Sequence, residues 1–351
     1  MKDFLLTLAV SCLILVMPHT GFATDKTHCL VFVHIGNQFP RHVPISIAQA
    51  RLFNRDCPIY LIGNSAAFSA AEEKIDAIPV FIESLDLSSS HKQYITATKM
   101  TDFWRYALER FLYLDDFIQQ SQLQDVFHLE NDVMLYFNLS QKLSTFQRCY
   151  PNMMASVFDC DQRCIPSFVY FANPSTSQLL ACFIADRSHL GCTDMELLSL
   201  FKDMFYKSRG DHLPILIPSY ADDYPLTNIF RNTARNAEPY FNHLDQLGLI
   251  FDAAALGQFF GGIDPILGPS KPGFMGEASV FLPMYFDFQW LQDEEGRWIP
   301  YISYNHQTYP IANLHIHSKA LDRFGSLNKE PPPIPTECFS SLPFDHIQKK
   351  R

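Results

Sequence analysis

The apolar positions of this chain fall into short continuous runs separated by amphipathic ones. HCLVFVHIGN (28–37), CPIYLIGN (57–64), IPVFIES (78–84) and DVFHLENDVMLY (125–136) read as strands, nearly unbroken in their apolar character, as in a sheet covered on both faces. Between them, PISIAQARLFNRD (44–56), SAAFSAAEEKI (65–75) and TKMTDFWRYALERFLYLDDFIQQ (98–120) read as amphipathic helices. Pro44 suits the first turn of the first helix, and Ser65 reads as the N-cap of the second. This alternation predicts an α/β fold, a mostly parallel sheet flanked by helices and joined by right-handed crossovers.

After residue 150 the pattern is less regular. MMASVFDCD and SFVYFAN read as strands, STSQLLACFIADRS and TDMELLSLFKDMFYK as helices, and a proline-containing loop follows over 209–245. IFDAAALGQFF reads as a helix running into Gly261-Gly262, and ASVFL, MYFDFQW, WIPYISY and YPIANLHIHSK read as strands. The division that results is 24–150 for a regular β/α half and 151–325 for an irregular, mixed half of the same domain. Residues 326–351 form a proline-rich tail expected on the surface.

The stretch HLENDVMLYFNL (128–139) raises the central question, because Glu130 and Asp132 interrupt an apolar run. An unpaired buried carboxylate costs several kcal/mol or takes up a proton. Ligands of parallel α/β sheets bind beyond the carboxyl ends of the strands. His34-Ile35-Gly36-Asn37, Gly63-Asn64 and Glu130-Asn131-Asp132 all fall at such ends. Acids at i and i+2 of a strand share a face and can reach one hard cation, for which oxygen ligands suit Mg²⁺ or Mn²⁺. His315 and His317, in NLHIHSK, share a face by the same spacing.

Composition narrows the class. Hydrophobic residues make up 47% and net charge is −10 with no basic stripe, so the chain is globular and nucleic acid is not expected as a partner. Met1-Lys2-Asp3, the apolar run FLLTLAVSCLILVM and Gly21-Phe22-Ala23 match a signal peptide over 1–23. The run is shorter than the ~20 residues of a spanning helix, so membrane contact is expected only if this segment stays uncleaved. Export is the expectation: secreted or periplasmic in a bacterium, ER or Golgi lumen in a eukaryote. Nine cysteines, eight beyond Cys12, then suggest disulfide bonds. Cys160-x-x-x-Cys164 lacks the second close pair of a zinc finger. Asn138-Leu139-Ser140 is a glycosylation sequon.

A β/α half ending in acid-x-acid resembles the nucleotide-sugar half of the GT-A (Rossmann-like) glycosyltransferases, whose motif is usually Asp-x-Asp where Glu130-Asn131-Asp132 stands. The resemblance implies Asp132 as a metal ligand, with Glu130 touching the donor sugar or ribose. It implies a C-terminal histidine completing the metal site, His317 first and His315 as the alternate, with Lys319 on the donor diphosphate. Arg105 would meet the donor from the helix before the motif, and His34, Gly36 and Asn64 would cradle the base or ribose. In Asp252…Gly257-Gln258…Gly261-Gly262-Ile263-Asp264, the glycines allow close backbone approach to a ligand. Asp264 or Asp252 would take the acceptor proton, with Gln258 beside them.

The expected protein is therefore a Mn²⁺- or Mg²⁺-dependent glycosyltransferase, hexosyl or N-acetylhexosaminyl, using a nucleotide sugar (a UDP-sugar first) and a glycan, lipid or protein acceptor. Two other classes stand beside it: a non-catalytic carbohydrate-binding protein on the same scaffold, and an exported metallohydrolase using the same Asp/His set. The rival pair Asp159 and Asp161 reads as a surface loop pinned between two cysteines. No Gly-x-Ser-x-Gly, P-loop, His-Glu-x-x-His or Gly-x-Gly-x-x-Gly occurs.

Overall fold

The computed structural model describes residues 28–224, 226, 234–263, 270–275 and 279–336, with the backbone of 339–340. The segment read as a signal peptide lies outside them. No helix among the described residues is long and apolar enough to cross a membrane.

β1 (Cys29–His34) leads to α1 (His42–Phe53), β2 (Ile59–Gly63) to α2 (Ser65–Ala70), and β3 (Ile78–Phe81) to α3 (Ser89–Ala97) and α4 (Asp102–Ser121). Next come β4 (Val126–Leu129), β5 (Val133–Leu135), α5 (Leu139–Cys149), the hairpin β6 (Met154–Cys160) and β7 (Arg163–Phe171), α6 (Pro174–Arg187), α7 (Asp194–Phe205) and β8 (Gly210–His212). The rest comprises α8 (Pro218–Asp223), α9 (Leu244–Leu247), α10 (Ala255–Gly261), β9 (Phe274–Met275), β10 (Asp287–Gln292), β11 (Trp298–Tyr304), β12 (Gln307–Pro310), β13 (Asn313–His315) and β14 (Phe339–Ser340).

Seven strands form one sheet in the order β3-β2-β1-β4-β7-β6-β8, with only β7 antiparallel to the rest. The α/β expectation is met, with helices around a mostly parallel sheet and a separate antiparallel sheet β10-β11-β12 in the later half. Leu30, Val31, Phe32, Leu61 and Ile62 are fully buried, each side chain worth about 1.5–3 kcal/mol of apolar transfer. Phe127 of β4 stacks among Phe146, Phe168 and Tyr170, tying α5 to the sheet centre.

Several elements differ from the sequence reading. The helix expected over 65–75 ends at Ala70, and its N-terminus is served from another element. Both oxygens of Glu83, just after β3, accept from the Ser65 amide. The long helix starts at Asp102, and α3, capped by Ser88 on the His91 amide, was not foreseen. ASVFL forms no strand over its described residues 279–282.

The run 125–136 is two strands rather than one. β4 stays in the main sheet, and its neighbour β7 still receives the Glu130 amide at Ser167 O, 3.1 Å. The chain then turns, with Val133 N donating to Glu130 O, and β5 pairs antiparallel with β13. Glu130 and Asp132 therefore sit on a turn, so period-2 geometry does not align them. Likewise β13 ends at His315, and His317 lies past it.

The disulfide expectation fails among the described residues. Cys29, Cys149, Cys160, Cys164, Cys182 and Cys192 are thiols, and Cys57 Sγ donates to Pro58 O. Hairpin register sets Cys160 against Arg163 and Cys164 against Phe158, so the two sulfurs do not face each other. Cys12 and Cys338 lie outside the described residues. The expected surface loop is also absent at Asp159, which is buried in β6 and ion-paired with Arg163, while Asp161 in the turn accepts from Tyr240 Oη. The sequon asparagine is engaged as a cap: Asn138 Oδ1 accepts from Gln141 N, and Nδ2 donates to Phe53 O. The tail is anchored at its start. Ser326 is fully buried, its amide donating to Gln49 Oε1 and its hydroxyl to Trp298 O, and Pro332 is buried too.

Candidate functional site

The polar strand ends meet as the topology requires. At the end of β1, the Gly36 amide donates to Asn64 Oδ1 across from β2, 2.8 Å. Asn131, in the turn after β4, donates to Val33 O at 3.0 Å and lies 3.5 Å from His34 Nδ1. His34, Gly36 and Asn64 thus form one rim with the acid turn, through Asn131. Burial lowers the pKa of His34 and of the neighbouring His42, which lies within electrostatic reach of Asp132 and Lys319.

β13 carries the second half of the site. Its pairing with β5 sets His315 against Val133, one residue beyond Asp132. His315 Nε2 lies 3.1 Å from Asp132 Oδ2 and 3.5 Å from Glu130 Oε2. Lys319, at φ +61° in the turn after β13, donates to the same Asp132 oxygen. The segment is locked by Ile316 N donating to Asp132 O, 2.9 Å. One ligand atom each from Glu130, Asp132 and His315 fits within 4.8 Å, a grouping that brings His315 rather than His317 between the acids. The His317 ring lies against that of His315, centroids 4.4 Å apart, with Nδ1 3.4 Å from Gln258 Nε2.

Electrostatics follow from this packing. Burial raises the Asp132 carboxyl, but the charges of His315 and Lys319 outweigh it and hold the pKa well below the usual carboxylate range. Burial likewise raises Glu130, and Arg110 and His315 bring it below its usual value. Burial lowers the His315 imidazole, yet Asp132 and Glu130 more than reverse this. Burial together with the charge of His315 drives the pKa of His317 far down, favouring its neutral form. His315 Nδ1 and His317 Nε2 are buried without a hydrogen-bond partner among the described residues.

The cation facing Glu130 is Arg110, which the sequence reading passed over for Arg105. Arg110 Nη1 donates to Glu130, and Nη2 to Asp194 Oδ2 at 2.8 Å. Arg105 instead pairs with Glu109 one turn on, 3.3 Å, with its side chain 35% exposed. The available signal was register: Arg110 lies among the buried positions of α4, where an unpaired guanidinium is not tolerated.

Asp252 is fully buried, and its carboxylate accepts from the amides of Leu256 (2.9 Å), Gly257 (2.8 Å) and His315 (2.8 Å). Burial pushes its pKa up to about 6 in spite of these donors. It staples α10 to β13. The glycines of α10 serve the same contact. A Cβ on Gly257 would overlap the His315 carbonyl, and one on Gly261 would stand 3.2 Å from Ile316 Cγ2. They let a helix approach a strand, where close approach to a ligand was expected. Asp264 lies outside the described residues.

No protein-family model and no curated protein matches the chain. Among solved structures it is similar to mouse xyloside xylosyltransferase 1, at 11% identity over 61% of this chain and 93% of that one, TM-score 0.40. It is also similar to the galactosyltransferase LgtC in complex with donor and acceptor sugar analogs, at 10% identity over 55% and 77%, TM-score 0.37. A third is the glycosyltransferase GlyE of Streptococcus pneumoniae TIGR4, at 15% identity over 53% and 45%, TM-score 0.32.

Proposed function

We propose that the protein is a divalent-metal-dependent glycosyltransferase that takes a nucleotide sugar, a UDP-sugar first, and passes the sugar to a carbohydrate or glycoconjugate acceptor. The observation that carries this reading is the meeting of Glu130 and Asp132 with His315, 183 residues after Asp132, at the carboxyl ends of the parallel strands.

The donor set fits Mn²⁺ or Mg²⁺: two carboxylates and an imidazole, beside two orphaned buried ring nitrogens. Asp132, His315 and Glu130 would hold the ion, with His317 alongside. The bound ion supplies positive charge to the departing diphosphate. Lys319, with its side chain 39% exposed, can leave Asp132 for a phosphate oxygen. The rim of His34, Gly36 and Asn64 takes the base and ribose. Arg110 fixes Glu130, and Gln258 offers an amide beside His317.

One observation favours the carbohydrate-binding alternative. Asp132 already meets Lys319, and Glu130 meets Arg110, which it shares with Asp194, so protein cations offset part of the acids' charge without metal. A thermal-shift screen separates the two. Stabilisation by UDP only with Mn²⁺ supports the transferase, and stabilisation by free sugars without metal supports the binder. A metal shift indifferent to nucleotide would favour a metallohydrolase.

A further inference from the structure

α4 leads into β4 from its own C-terminal end, so its N-terminal turns project beyond the carboxyl edge of the sheet, past the level of Glu130. Arg110 marks the level of the site by its contact with Glu130. Tyr106 and Phe103 precede Arg110 by four and seven residues. At helical geometry they share its face within an arc of about 60°, and stand about 6 and 10 Å further out. Both are exposed, Tyr106 at 47% and Phe103 at 70%. Trp104, 39% exposed, packs edge-on against Phe103 with centroids 5.1 Å apart. The core lies on other faces of α4, through Leu108, Phe111 and Leu112. Three exposed aromatic side chains within four residues of one helix end thus add little to core burial, and such a cluster calls for an occupant.

We infer that Phe103 and Tyr106, flanked by Trp104, form an aromatic ladder on which the sugar rings of the acceptor glycan stack as it enters the site. The inference rests on the transferase reading for the word acceptor, and on the geometry alone for carbohydrate. Flat aromatic faces suit the apolar face of a pyranose, and the Tyr106 and Trp104 polar groups can meet its hydroxyls. Continuity with the face of Arg110 points the ladder into the site rather than away to a separate partner.

Trp104 is a built-in reporter. Its fluorescence would be titrated in the full chain with chito-, malto-, cello-, xylo- and lacto-oligosaccharides, and with phosphatidylserine–phosphatidylcholine vesicles. Trp104→Phe identifies its share of the signal. Expected is a saturable change with at least one oligosaccharide series, roughly tenfold weaker in Phe103→Ala/Tyr106→Ala. The single variants Phe103→Ala and Tyr106→Ala serve if the double variant loses its circular dichroism spectrum. No response to any series, an unchanged affinity in the variants, or a response to vesicles alone overturns the ladder. UDP with Mn²⁺, read by thermal shift on the unaltered chain, tests the donor reading separately. A UDP shift without glycan binding sinks only the ladder, and glycan binding without a UDP shift sinks only the donor.

Discussion

Gly257 lies directly against the backbone of His315, close enough that any Cβ on it would overlap the His315 carbonyl oxygen. The obstructing atoms are main chain and belong to the strand that carries the site histidine. Gly257→Ala must therefore shift α10 or β13, at or above the roughly 3 kcal/mol of severe overpacking. Urea unfolding should show this loss, and any folded fraction should bind Mn²⁺ more weakly as His315 moves. Gly191→Ala is the control. Its φ of +68° makes it strained, but a Cβ there meets nothing, so about 1–2 kcal/mol is expected.

Asp132→Ala should remove Mn²⁺-dependent stabilisation by UDP and Mn²⁺-dependent turnover of a UDP-sugar, while the far-ultraviolet spectrum stays that of the parent. Lys319, left without its carboxylate, is exposed enough to turn to water. Full turnover in this variant would defeat the functional reading.

Arg110 is held between Glu130 and Asp194, all three with side chains at most 15% exposed. Arg110→Met leaves two buried acids without their cation and should cost about 3–5 kcal/mol in urea unfolding. Adding Glu130→Gln and Asp194→Asn should restore most of it. A triple variant no better than the single one would show that the arginine acts through packing alone.

His91 tests linkage away from the site. It is fully buried, with Nδ1 2.6 Å from Asp116 and Nε2 3.6 Å from Glu109. Burial lowers its pKa, but the Asp116 hydrogen bond and the charges of both acids raise it above the ordinary 6.5. A raised folded-state value means the contribution is complete below pH 6.5 and fades as pH rises through the folded pKa. The stability difference between the parent and His91→Gln should shrink with rising pH above 6.5, by urea midpoints at a series of pH values. A constant difference would contradict it.

Thiol chemistry checks the cysteines. Among the cysteines of the described residues, Cys182 is exposed and should react fastest with Ellman's reagent in the native protein, so Cys182→Ser should remove that fast contribution. The buried thiols Cys29, Cys149, Cys160 and Cys164 should react only on unfolding, with no prior reduction needed.

The β/α order was legible because each strand of the sheet centre writes its burial locally. Leu30–Val33 and Ile59–Ile62 are apolar wherever they point, and both proved to be central strands. The α2 cap was not legible, since its acceptor is Glu83 from a different element. The splitting of 125–136 was hidden for a related reason. A turn between two apolar strands looks like one strand until a distant partner, here β13, claims the second half.

The sequence by itself determined that acids stand at a strand end, that histidines recur far downstream, and that the early strands build a mostly parallel α/β sheet. Each follows from short-range pattern. Tertiary structure alone decided that His315 meets Asp132, that Arg110 neutralises Glu130, and that Asp252 and Gly257 serve helix–strand contact. Those roles depend on which backbone comes within about 3 Å of which side chain, a distance set by packing between segments far apart in the chain.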